Sequence, residues 1–142
     1  SIILQNKYRY NIVLVGWSMG GAAALMLGNH FDGVSGIVTL GASTDGNQFT
    51  NIIHKQIPYL QCHNANDEIV PLSRGQQLYD NLKGKQNENH TFEISHVVES
   101  NCHQYDDMID MCTDWIIRRF VKTHLAVERQ KKIEKIMVND HK

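Results

Sequence analysis

The chain lacks any apolar run approaching the roughly 20 residues of a bilayer-crossing helix, so the sequence offers no membrane-spanning helix. It also lacks a signal-peptide pattern at its start. An excess of one charge is missing too. Fourteen Lys and Arg stand against 15 Asp and Glu, a formal net charge of −1, which leaves no electrostatic case for nucleic acid. Cysteines are few. Cys62, Cys102 and Cys112 are an odd number with neither disulfide framework nor metal-ligand spacing, so reduced thiols in a cytoplasmic compartment are the expectation. There are no internal repeats and no low-complexity tracts.

What remains is an ordinary globular composition, 42% hydrophobic and 20% charged over 142 residues, enough for one domain with a real core. The chain begins without Met and reaches a core-type strand after about ten residues, the pattern expected of the middle of a larger protein.

The densest signal lies between Asn11 and Gly21. Ile12-Val13-Leu14-Val15 is apolar and largely β-branched without alternation, as a strand covered on both faces would be. Met19-Gly20-Gly21-Ala22-Ala23-Ala24-Leu25 opens a helix. Between them Gly16-Trp17-Ser18-Met19-Gly20 fits G-x-S-x-G, the nucleophile elbow. A tight strand-to-helix turn would hold Ser18 Oγ exposed at the strand's carboxyl end, with flanking glycines removing side chains that would collide. The Met19 backbone N–H, at the helix start, would face a developing oxyanion.

The rest alternates strands and helices. The helix after the elbow runs to about His30, and Gly36–Leu40 is a second buried strand. Gly41–Gln56 reads as a loop, and Pro58–His63 as a third strand. Ser73 is a candidate N-cap for a helix to about Leu82, and Thr91–Ile94 alternates like an edge strand. A long helix follows, with Tyr105, Met108, Ile109, Cys112, Ile116 and Phe120 near a three-to-four-residue period. This order implies an α/β fold with a mainly parallel sheet and flanking helices. Residues 1–124 form the expected domain and 125–142 a basic tail with Arg129, Lys131, Lys132 and Lys135. The tail reads either as a solvated terminal helix or as a basic amphipathic helix making transient contact with a membrane surface.

In an elbow enzyme the acid and the base follow the serine in chain order. Asp67 follows the third strand, where a carboxylate would hold an imidazole in one tautomer and stabilise its charged form. Of eight histidines, His96 and His103 follow the fourth strand. His103 is better placed, on a loop long enough to reach Ser18, whereas His96 lies close to the strand end. The triad expected from order is Ser18, Asp67 and His103, with His96 as the alternative base.

Gly-Trp-Ser-Met-Gly-Gly at 16–21, Tyr59-Leu60-Gln61-Cys62-His63 with Asp67-Glu68-Ile69-Val70-Pro71, and Thr91-Phe92 ahead of His103 together resemble the acyl-protein thioesterase/lysophospholipase family of α/β-hydrolases. The resemblance covers about Ile12 to Phe120. It implies an α/β-hydrolase fold lacking its N-terminal strands. It further implies a serine hydrolase that cleaves palmitoyl-protein thioesters, lysophospholipids or small esters through an acyl-serine intermediate, with no cofactor and no metal. Trp17 and Met19 replace the family's usual Phe and Gln at the elbow, and Asn64 stands where a Gly is usual, in a turn that could take the left-handed conformation. No counterpart exists for the early loop that gives a second oxyanion N–H, whose loss costs on the order of 3 kcal/mol of transition-state stabilisation. The missing strands would leave Ile12–Val15 as an unpaired apolar edge. A general carboxylesterase and a non-catalytic fragment acting by binding are the alternative readings.

Overall fold

The structure is a computed structural model that describes residues 11–85, 93–94 and 104–140. It divides into two compact units, Ser1–Met108 and Ile109–Lys142. In the first, four strands pair in parallel in the order β1-β2-β3-β4: β1 Ile12–Trp17, β2 Val34–Leu40, β3 Tyr59–Cys62 and β4 Glu93–Ile94. Helix α1 (Met19–His30) connects β1 to β2, the short α2 (Thr50–His54) precedes β3, and α3 (Leu72–Lys83) follows it.

The two central strands are buried along nearly their whole length, as β-branched and apolar parallel strands covered on both sides should be. Ile37, Tyr59, Leu25, Phe49, Ile52, Leu78 and Leu82 form the heart of the core. β1 reads like its neighbours in sequence, but among the described strands it lies at the edge of the sheet, as the resemblance implied. Ile12, Val15 and Trp17 are each about half exposed (48, 55 and 55%). Gly28 lets α1 lie close on the sheet, since a Cβ there would overlap Ile37 Cδ1.

A polar ladder crosses the core. Thr39 Oγ1 donates to Tyr59 Oη (2.6 Å), Tyr59 Oη–H to Gln61 Oε1 (2.9 Å), and Gln61 Nε2–H to the Gly75 carbonyl (2.7 Å). It ties β2, β3 and α3 together, and burial drives the Tyr59 phenol pKa far above its ordinary value.

Gly41–Gln56 is more ordered than the sequence implied, with a 3₁₀ turn at Gly46–Gln48 and then α2. At five residues α2 shows no helical period, and its cap comes from elsewhere. Asn29 Oδ1, at the end of α1, accepts from Asn51 N–H and Ile52 N–H (3.0 and 3.3 Å). Lys55 Nζ returns the favour, donating to the Gly28, Asn29 and Phe31 carbonyls at the end of α1. Ser73 is not the cap of α3. The helix starts two residues earlier than that cap implied, at Leu72 behind Pro71, whose fixed φ and missing N–H suit that boundary.

In the second unit α4 (Ile109–Ile116) passes through a π-turn at Ile117–Val121 into α5 (Lys122–Asp140). Within it Trp115 meets Phe120 edge-on at 5.6 Å, and Arg119 lies over the Trp115 ring. Apart from half-buried Glu128, every α5 side chain described is exposed. Among the described residues no helix is long and apolar enough to cross a membrane, and no group of His, Cys, Asp and Glu is placed to hold a metal ion.

Candidate active site

The strand–turn–helix at 16–21 has the geometry the motif requires. Ser18 takes φ 54° and ψ −120°, a region side-chain-bearing residues avoid, at a cost of about 1–3 kcal/mol. Its N–H is bonded to the Leu40 carbonyl (2.8 Å), and its carbonyl accepts from Gly21 N–H (3.0 Å). Ser18 therefore sits between the carboxyl ends of β1 and β2, at the N-terminus of α1.

The glycines divide their labour differently from the pattern. A Cβ on Gly16 would overlap the Gly20 carbonyl, and one on Gly21 would fall 2.6 Å from Ala42 Cβ. A Cβ on Gly20, the motif's second glycine, meets nothing within 4 Å. The close packing of strand on helix thus rests on Gly16 and Gly21. The Met19 side chain is 85% exposed, while its N–H belongs to the first helical turn, where amides have no intrahelical acceptor.

Asp67 lies beyond the carboxyl end of β3 on the same side of the sheet, and it is buried (5% exposed). Its Oδ1 accepts from Ile69 N–H and Val70 N–H (2.9 and 2.8 Å), and its Oδ2 from the Tyr105 hydroxyl (2.9 Å). Three donors on one carboxylate favour its ionised form. His103 and the alternative His96 lie outside the described residues, as do Cys102, Thr91 and Phe92.

The acid loop is clasped from two sides. His63 Nε2 is bonded to the Val70 carbonyl (2.7 Å), and its ring lies so close to α3 that a Cβ on Gly75 would collide with it. Among the described residues His63 Nδ1 has no partner. Asn64 is fully buried with no positive φ, so its replacement of the usual Gly has a purpose other than left-handed turning. Its N–H donates to Tyr105 Oη (3.0 Å) and its Nδ2–H to the Gln104 carbonyl (2.6 Å). Tyr105 was expected on the apolar face of a long helix. It instead precedes that helix and enters the acid loop. Sequence reasoning missed its role because a tyrosine at helical spacing from Met108 and Cys112 is indistinguishable from core.

Beside this edge a polar cavity of about 600 Å³ is lined by Ser43, Thr44, Asp45, Asn47, Arg74, Gln77 and Asn81. No apolar side chain lines it, so it is not suited to an acyl chain.

A family profile of phospholipases/carboxylesterases matches residues 5–116. The chain belongs to the phospholipase/carboxylesterase family. Solved structures agree on the α/β-hydrolase fold. A variant of SOBER1 from Arabidopsis thaliana is 23% identical with a TM-score of 0.66, the match covering 83% of this chain and 57% of that one. Acyl-protein thioesterase 2 from Zea mays is 19% identical with a TM-score of 0.58, covering 82% and 60%. An esterase domain from Rhodothermus marinus is 19% identical with a TM-score of 0.57, covering 82% and 64%. The chain thus spans a little over half the length of these members of its fold. No curated protein sequence matches it.

Proposed function

We propose that this phospholipase/carboxylesterase family member is a serine hydrolase of acyl thioesters or esters, with Ser18 as nucleophile, His103 as base and Asp67 as the acid orienting it. The observation that carries the reading is Ser18's strained backbone, held by the Leu40 carbonyl at the head of α1. Strain of this kind persists only where surrounding structure enforces it, and it serves here to present a hydroxyl. Asp67, on the same side of the sheet and supplied with three donors, supports the role of the orienting acid. The choice of His103 over His96 is supported by its chain neighbour, since the Gln104 carbonyl is bonded to Asn64 beside Asp67.

In the proposed reaction Ser18 Oγ attacks the acyl carbon as the imidazole takes its proton. The Met19 N–H stabilises the oxyanion. Collapse of the tetrahedral intermediate expels the thiol or alcohol, which receives the proton, and leaves an acyl-serine that water hydrolyses by the same steps. Palmitoyl-protein thioesters and lysophospholipids are the substrates we propose from the sequence resemblance, and small esters are the second choice. A cytoplasmic setting, expected from the three cysteines without a disulfide framework, is part of the same proposal.

A fluorophosphonate probe tests the proposal. We expect covalent labelling of wild type that disappears in Ser18→Ala and falls at least a hundredfold in rate in His103→Ala, with both variants folded by circular dichroism. Folded wild type that stays unlabelled overturns the assignment and leaves a binding role for the fold.

A further inference from the structure

Tyr105 touches three residues of the acid loop, His63, Asn64 and Asp67. Its hydroxyl donates to Asp67 Oδ2 (2.9 Å) and accepts from Asn64 N–H (3.0 Å). Its ring stands edge-on to His63 (centroids 6.4 Å apart, planes at 88°). It also fills the space over Gly41, where a Cβ would lie 2.6 Å from the phenol oxygen. Gly41, at φ 61°, turns the chain sharply after β2 and opens that space. Four residues from two loops, those after β2 and β3, thus converge on one phenol that is 4% exposed.

Packing alone would not need the hydroxyl, since phenylalanine would fill the same volume. The oxygen's two bonds have a direction. Asn64 N–H polarises the phenol, and the phenol passes that polarisation to a carboxylate oxygen. Among the described residues Oδ1 accepts from the Ile69 and Val70 amides and Oδ2 from the phenol, so the phenol helps to orient the Oδ2 side.

We infer that Tyr105 is a positioning residue for the acid: its hydroxyl, braced by Asn64 N–H, fixes the Asp67 carboxylate and moderates its charge. The inference rests on the triad assignment above and goes beyond it by adding a member acting through Asp67. A carboxylate that donates less charge to its imidazole leaves that imidazole less basic, hence unprotonated to lower pH. Without the phenol the charge on Asp67 is less dispersed, the imidazolium is better stabilised, and the acid limb of the rate profile moves up. The titratable groups around the phenol in the described residues are Asp67, His63 and Cys62. Burial is the leading cause of the phenol's own raised pKa, so it stays protonated as a donor throughout the working range.

The test compares wild type, Ser18→Ala, Tyr105→Phe and a protein carrying 3-fluorotyrosine at 105, by probe-labelling rate and ester turnover against pH. For Tyr105→Phe we expect kcat to fall about tenfold, with KM within about twofold, as for loss of a hydrogen bond to a charged group. Its acid limb should move upward by about half a pH unit. The fluorinated phenol, a stronger donor of nearly the same size, should move the limb the other way. It therefore decides the matter even if Tyr105→Phe does not fold. An acid limb that stays put in the folded variants, with kcat retained, reduces Tyr105 to packing while leaving the triad standing. Labelling that survives Ser18→Ala, or is absent from folded wild type, overturns the triad and this inference with it.

Discussion

At Ser18 the backbone conformation costs free energy that a residue without a Cβ would not incur. Replacing it with glycine should raise stability by about 1 kcal/mol while abolishing labelling, a divergence readable by urea titration beside the probe assay. The glycines around it should behave unequally. Gly16→Ala drives a methyl into the Gly20 carbonyl and should destabilise by about 3 kcal/mol or prevent folding. Gly20→Ala meets open space within a helix and should be neutral, or stabilising by up to about 1 kcal/mol, with labelling retained. If Gly20→Ala alone unfolds the protein, the division of labour among the elbow glycines is wrong. Trp17 and Met19 keep large exposed surfaces at this corner, so the residues either side of the nucleophile are available to touch a substrate.

At the level of elements, α2 depends on a cap 22 residues away. Asn29→Ala removes the acceptor for Asn51 N–H and Ile52 N–H and should cost about 1–3 kcal/mol by thermal or urea unfolding. Asn29→Asp, which keeps the acceptor, should recover most of that loss. The same element shows where sequence stopped being informative. The elbow, β2 and β3 were legible because apolar runs and a glycine pattern are local signals, and the place of Asp67 in the loop beyond β3 followed from chain order. The helix α2 was not, because its cap and its buried Ile52 and Ile53 gain meaning only when α1 lies alongside. Tyr105 and Asn64 were misread for the same reason. One looked like a helix-face aromatic and the other like a turn residue, yet their roles lie in a bond between them spanning 41 positions. The exposure of β1 was legible only through the resemblance, whose early strands have no counterpart here; nothing in Ile12–Val15 itself states how many neighbours the strand has.

Across the whole molecule, Tyr59 and Tyr105 share a liability. Both are buried with folded-state pKa values raised above the unfolded value near 10, so the folded state holds their protons more tightly than the unfolded chain. Their contribution is intact below about pH 10 and lost progressively above it. We expect alkaline unfolding in that range, with absorbance near 295 nm rising together with loss of circular dichroism. Ionisation of all five tyrosines before any loss of fold would contradict the burial. Removing residues 125–142 should change the melting temperature by no more than a few degrees, since nearly every side chain described there is already in solvent.

The strand order β1-β2-β3-β4 is also the order of synthesis. Among the described strands none has to be inserted between two already paired, so each of them emerging from a ribosome finds its docking edge already formed. The sheet can therefore be assembled in one direction, like courses laid on a wall, with few long-range closures to delay it. The nucleophile's turn is set as soon as β2 arrives, because the Leu40 carbonyl that holds Ser18 is the last bond of the first pair. The elbow is thus an early product of folding, and the acid loop with its tyrosine clasp a late one. A pulse of hydrogen exchange during refolding would read that sequence as protection at Ser18 N–H before protection at Asn64 N–H.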